Sequence, residues 1–181
     1  QVKNWIGDVR PQAIIVAAAT VGGILANSKY PADFLYDNIM IASNIIHAAH
    51  FHSVEKLLFI GSACIYPLKA EQPISEESLL TGSLEPTNEW HAMAKIAAVK
   101  LCQAYRNQYG NDFIAAQPNN LYGPGDDFSP NTSHVIPALI GKAHRAKASA
   151  AGALEVWGSG KVMREFMYVD DLSDAVAFLL K

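Results

Sequence analysis

The sequence predicts an α/β protein built on a doubly wound parallel sheet. Three observations carry that expectation. Short unbroken apolar runs alternate with long segments of helical spacing, as strands buried on both faces alternate with covering helices. The segments between the runs are long enough to hold the helical crossover that parallel pairing requires. The carboxyl ends of the runs then carry small and polar residues, where open α/β sheets bind ligands.

Ala13-Ile-Ile-Val-Ala-Ala-Ala19 is the first expected strand, interrupted at Val21-Gly22-Gly23. From Pro31 to His52, residues Phe34, Leu35, Asn38, Ile41, Ile45 and Ala49 recur at helical spacing. Pro31 suits the first turn, where a missing N–H costs nothing. Lys56-Leu-Leu-Phe-Ile-Gly61 is a second strand, ending in Gly61 and Ser62. Pro67 to Asn88 is polar and rich in Glu, Ser, Thr and Pro, which predicts a long loop. Trp90 to Tyr109 returns to helical spacing and stops at Gly110, a natural C′ residue. Phe113-Ile-Ala-Ala-Gln117 is a third strand, followed by Pro118 and the turn-rich Leu121 to Asp127. His134 to Lys147 is another helix, Leu154 to Trp157 a short strand, and Met163 to Val169 an extended lead into a final helix. Right-handed βαβ units with helices on both sheet faces follow from this order.

Composition narrows the function. The 181 residues include 14 Lys and Arg against 17 Asp and Glu, a formal charge of −3, with half the residues apolar and 17% charged. A disordered, collagenous or low-complexity chain is excluded. Dispersed Lys and Arg leave no basic footprint, so nucleic acid is not an expected partner. No apolar run approaches the roughly 20 residues that span a bilayer, so no membrane partner is expected either. Two cysteines, Cys64 and Cys102, cannot build a disulfide framework and fit a reduced cytoplasmic setting. His47, His50 and His52 do not face one side of their helix and predict surface or helix-end residues, with no metal site. The chain opens Gln-Val-Lys-Asn-Trp and ends in an amphipathic pattern without a stop signal, which predicts a piece of a longer polypeptide. It contains no G-x-G-x-x-G turn; Gly22-Gly23 follows a strand but lacks the third glycine.

Six segments in register carry a resemblance: Ala17-Ala-Ala-Thr-Val-Gly-Gly-Ile24, Gly61-Ser-Ala-Cys-Ile-Tyr-Pro67, Leu84-Glu-Pro-Thr-Asn-Glu89, Asn119-Asn-Leu-Tyr-Gly-Pro124, Ser133-His-Val-Ile-Pro137 and Val156-Trp-Gly-Ser-Gly160. With them the chain resembles the extended short-chain dehydrogenase/reductase superfamily along its whole length. Within that superfamily it is most similar to epimerase-reductases of GDP-bound 4-keto sugars. The resemblance implies a Rossmann-like fold without its N-terminal Gly-rich βαβ start. Residues 1–130 would be a partial NADP-binding domain, and residues 131–181 a partial substrate region with a returning Rossmann helix. It also implies a homodimer in the full-length form.

The implied chemistry has two stages: epimerisation at carbons 3 and 5 of the sugar, then reduction of carbon 4 by hydride from NADPH. The keto group acidifies neighbouring C–H bonds, so inversion needs one group removing a proton and another delivering it. Cys64 and His134 match the family's pair. The thiol could act as base if Lys95 lowered its pKa, and an imidazole could supply the proton. Read without the motif, Cys64 is a small buried hydrophobe. Likewise His134 would be a solvent-facing residue at a helix start, with Ser133 as N-cap. Ser62 matches the hydroxyl that bonds the keto oxygen. Lys95 matches the lysine of the nicotinamide ribose. The resemblance places Ile60, Gly61, Ser62, Ala63, Lys95, Pro118, Asn119, Asn120, Leu121 and His134 against the cofactor. It places Lys142, Trp157 and Arg164 against the sugar nucleotide, although Arg164 beside Glu165 could also be an ordinary ion-pair partner.

One position departs from the pattern. The family's Tyr-x-x-x-Lys is His91-Ala-Met-Ala-Lys95 here, and no lysine in the chain has a tyrosine four residues before it. Positions i and i+4 share a helix face, so the spacing survives although the phenol does not. A lost reduction step, an error in the sequence and a repurposed site all accommodate His91. Two other functions stay open: a 4,6-dehydratase or 4-epimerase of another nucleotide sugar, and a degenerate member serving as a binding subunit.

Overall fold

The structure is a computed structural model that describes residues 1–22, 24–129, 132–149, 152–156 and 158–181. Its centre is a parallel three-stranded sheet in the order β1-β2-β3, formed by Ala13–Val16, Lys56–Ile60 and Asp112–Ala116. Ile14 pairs with Leu57, and Leu57 with Phe113, so the strands run level and their carboxyl ends open together.

Helix α1 (Val2–Val9) precedes β1, and the six-residue α2 (Ile24–Lys29) follows it. Helix α3 (Pro31–Phe51) links β1 to β2, and helix α4 (Glu89–Tyr109) links β2 to β3. Pro31 occupies the first turn of α3, and Gly110 ends α4 in the left-handed conformation at φ 72°. The two crossover helices pack against each other on one face of the sheet. Right-handed crossovers stepping in one direction require this. Helices α3 and α4 thus cover one face of this sheet, while Leu58, on the other face of β2, is also fully buried. Between them and the sheet lies the core, with Ile6, Val16, Ile46, Leu57, Phe59, Val99, Cys102 and Phe113 all nearly or fully buried.

Beyond β3 the expected turn is a short strand, β4 (Asn120–Tyr122), paired in parallel with β5 (Phe166–Tyr168) in a second, two-stranded sheet. Backbone pairing, which no period in so short a run reveals, makes it a strand. Helix α5 (Val135–Ala148) lies between these strands, and α6 (Val169–Leu179) follows them. Leu154 to Val156 is irregular, not a strand, and Trp157 lies outside the described residues. No helix is long and apolar enough to cross a membrane among the described residues.

Candidate active site

The chain turns sharply where β2 ends. Gly61 N–H bonds the Ala116 carbonyl at 2.8 Å, Ser62 N–H bonds Gln117 Oε1 at 2.9 Å, and Ala63 N–H bonds the Pro118 carbonyl at 3.3 Å. The ends of β2 and β3 are thus stitched together. A single 3₁₀ turn, Ala63–Ile65, then carries Cys64, whose backbone N–H donates to Ser62 Oγ at 3.5 Å.

Helix α4 enters beneath this turn. Lys95, one helical turn after His91, is only 7% exposed, and its Nζ donates to the Ile60 carbonyl at 2.8 Å while lying over the Phe59 ring. Burial pulls the Lys95 pKa down, and Cys64 opposes that shift. Burial also pushes the Cys64 thiol up; the Ser62 hydrogen bond and the Lys95 charge oppose it without reversing it. The expectation that Lys95 lowers this thiol overall is therefore corrected, because desolvation outweighs the neighbouring cation. His91 is held at about 4, first by burial and then by the Lys95 charge, so its ring is neutral at physiological pH.

Four predicted residues, Ser62, Cys64, His91 and Lys95, therefore stand together with Ile60, Gly61 and Ala63. A further residue joins them that the helical period included without giving it a role in the site. Asn38 of α3 is 5% exposed, and its Nδ2 lies 3.4 Å from His91 Nδ1. A polar side chain on a helix face otherwise made of Phe34, Ile41 and Ile45 was the available signal.

The remaining predicted residues are held by other contacts. His134, not Ser133, is the N-cap of α5; it is exposed and makes no side-chain cap bond. Among the described residues no hydrogen bond or ion pair joins it to the cluster, and its electrostatic neighbour is Asp127. That carboxyl is held low mainly by Thr132 and then by the Ser129 N–H, with His134 adding to the effect. Pro118 is bound to Ala63 through its carbonyl, whereas Asn119 Nδ2 reaches Glu165 Oε2 at 2.7 Å and Asn120 Nδ2 the Glu165 carbonyl at 3.3 Å. Leu121 pairs with Met167. Lys142 Nζ donates to the Glu155 carbonyl at 3.3 Å, and Arg164 donates to the Met163 carbonyl at 2.9 Å, not to a carboxylate. His47 bonds Tyr105 Oη and His50 bonds Asn111 Oδ1; among the described residues no group of His, Cys, Asp or Glu could hold a metal ion.

A parallel α/β sheet whose central strand ends in a serine turn, over a buried lysine from the next helix, defines a class: enzymes built to hold a nucleotide cofactor beside a polar substrate. The chain belongs to the NAD dependent epimerase/dehydratase family, whose sequence model matches residues 1–181. It is 59% identical over 181 residues to the GDP-L-fucose synthase of Sinorhizobium fredii, covering all of this chain and 58% of that protein. It superposes with a TM-score of 0.94 and 34% identity on a GDP-D-glycero-L-gluco-heptose synthase from Campylobacter jejuni, solved in the presence of NADPH. That match covers 99% of this chain and 61% of the other. A GDP-L-fucose synthetase from Naegleria fowleri bound to NADP gives 0.86 and 31%, over 98% of this chain and 58% of that one. The chain thus spans a little over half the length of the proteins it matches.

Proposed function

We propose that this chain is part of an NADP-dependent nucleotide-sugar epimerase-reductase that converts GDP-4-keto-6-deoxymannose to GDP-L-fucose. The supporting observation is the convergence of Ser62 and Cys64, on the turn after β2, with Lys95 and His91 on one face of α4. The resemblance to GDP-L-fucose synthases adds the substrate class, and the NADP-bound neighbours add the cofactor.

The donor set suits the nicotinamide-ribose end of NADP. Lys95, from helix α4, brings a buried ammonium to the end of β2, where Ser62 adds a hydroxyl and Gly61 a backbone without a side chain. No Gly-rich phosphate turn occurs in these 181 residues, so the pyrophosphate end has no counterpart in them. Residues 1–130 would be the cofactor-binding part and residues 131–181 the start of the substrate part. Ile60 to Ala63, Lys95 and Pro118 to Leu121 would line the cofactor; Lys142, Trp157 and Arg164 would meet the sugar nucleotide.

Bound NADPH supplies the hydride for carbon 4. Ser62 holds the keto oxygen and stabilises the charge that develops there. Cys64 and His134 form the proton-transfer pair for carbons 3 and 5; Lys95 and Ser62 favour the thiolate against burial. The full-length protein would be a cytoplasmic homodimer.

The test uses the chain extended to the length of its relatives, with the 4-keto sugar in heavy water. Mass spectrometry should show solvent deuterium entering the sugar, and Cys64→Ala and His134→Ala should each reduce that entry by roughly 10²–10⁴, the usual worth of a general acid or base. Undiminished exchange in both variants would overturn the pair.

A further inference from the structure

Asparagine is a poor residue for a helix interior, because its amide competes for backbone partners. Asn38 nonetheless sits in the middle of α3, almost wholly buried, and every polar atom of its side chain is engaged. Its Oδ1 accepts the Thr20 N–H at 2.7 Å. Its Nδ2 donates to the Thr20 carbonyl at 2.9 Å and to the Phe34 carbonyl at 2.7 Å. A flipped amide would set its NH₂ against the Thr20 N–H and its oxygen against two carbonyls, so the backbone fixes which end is which.

That fixed end faces His91. Both hydrogens of the amide NH₂ are already given to carbonyls, and the same nitrogen lies 3.4 Å from His91 Nδ1. A proton on Nδ1 would find no acceptor there, and donor would face donor. A lone pair on Nδ1 meets the positive edge of the NH₂ instead.

We infer that Asn38 is a positioning residue that fixes His91 as a neutral imidazole with its single proton on Nε2. The Thr20 backbone, in the segment after β1, holds Asn38 in turn, so the strand end and the helix residue are linked through one amide. Resting on the functional reading above, the inference adds a consequence. The hydrogen available where the family has its tyrosine is one Nε2–H, and Nδ1 cannot relay a second proton from the protein side.

The experiment is nitrogen-15 NMR of the histidine rings of this chain at neutral pH, with His91 identified by its loss in His91→Gln. The expected spectrum shows Nδ1 at the unprotonated and Nε2 at the protonated position. The opposite pattern, or an average of the two, overturns the inference. Asn38→Ser removes the NH₂ that faces Nδ1 and should release the ring to an averaged pattern. A folded Asn38→Ser with the ring unchanged overturns the role of Asn38; if that variant does not fold, the wild-type ring decides. Absent sugar chemistry with His91 in the expected form would refute the functional reading and leave this one standing.

Discussion

Gly61 lies against the side chain of Gln117: a Cβ built on Gly61 would sit 1.8 Å from Gln117 Oε1. The same oxygen accepts the Ser62 N–H at 2.9 Å, so the absence of a side chain at 61 lets Gln117 hold the turn after β2. Gly61→Ala should expel the glutamine tip and release that N–H, at about 1–2 kcal/mol for a half-buried donor left unpaired. Gln117→Ala should cost a similar amount. The double variant should cost clearly less than the two together, because both remove one interaction. Urea midpoints of the four proteins check this, and strict additivity would refute the coupling.

The Cys64 thiol is raised by burial, and its neighbours Ser62 and Lys95 restrain the shift. It should therefore alkylate with iodoacetamide more slowly than a free cysteine at neutral pH. Lys95→Met removes one restraint and should slow the reaction further and move its pH midpoint upward. Mass spectrometry of the labelled peptide separates Cys64 from Cys102, which is itself buried and held near 12. A faster reaction in Lys95→Met would show that the lysine shields the thiol more than it polarises it.

Much of this was legible in the residues. Unbroken apolar runs place β2 and β3, and Gly110 places the end of α4, because burial on both faces and a left-handed cap each demand particular residue types. The first run was overextended: Ala17 to Ala19 continue the apolar pattern but leave the ladder after Val16. Helices α1 and α2 are too short for a period to declare itself. The motif spacing brought Ser62, Cys64, His91 and Lys95 to one place. The contacts of Asn38 and Gln117 escaped because they join elements far apart in sequence, 53 and 55 residues from His91 and Ser62. The sign of the Cys64 shift escaped for a related reason, since charge can be read from sequence and desolvation cannot.

His91 predicts an acid sensitivity. An imidazole in the unfolded chain titrates near 6.5, whereas this ring is held at about 4. Between those values the unfolded state binds a proton that the native state refuses, so unfolding free energy falls as pH falls from 6.5 to 4 and then levels off. The loss is on the order of 1–3 kcal/mol, reduced where water reaches the ring. Urea unfolding at pH 7 and pH 4.5 measures it. His91→Gln should flatten that difference, and an unchanged difference would place the sensitivity elsewhere.

Strand β1 has β2 on one side, and among the described residues no strand on the other. Beside it runs an apolar groove of about 560 Å3 lined by Val2, Trp5, Ile6, Ile14, Ile15 and Ile45, with Trp5 60% and Ile15 48% exposed. An open apolar edge of this kind pairs with other chains. This 181-residue chain should self-associate as its concentration rises, and Ile15→Lys should shift light scattering back toward the monomer. A monodisperse monomer at every concentration would count against it.

The sharpest prediction concerns the two halves of the proposed reaction. Proton exchange at carbons 3 and 5 calls on the acidifying keto group, on Ser62 and on Cys64 with His134. None of these is His91. Reduction at carbon 4 calls on a proton donor where His91 stands, and a neutral, shorter imidazole beside the Lys95 ammonium is a weak one. In the chain extended to the length of its relatives, deuterium should therefore enter the sugar from solvent while NADPH consumption is slowed by roughly 10²–10⁴. His91→Tyr places a phenol one helical turn from Lys95, where the ammonium can lower its pKa, and should restore consumption without changing exchange. Nicotinamide absorbance and mass spectrometry on the same samples read the two halves separately. Fast NADPH oxidation with His91 in place would mean that its Nε2–H serves as the acid. Restored oxidation without any exchange would leave the reductase assignment intact and remove the epimerase role from Cys64 and His134.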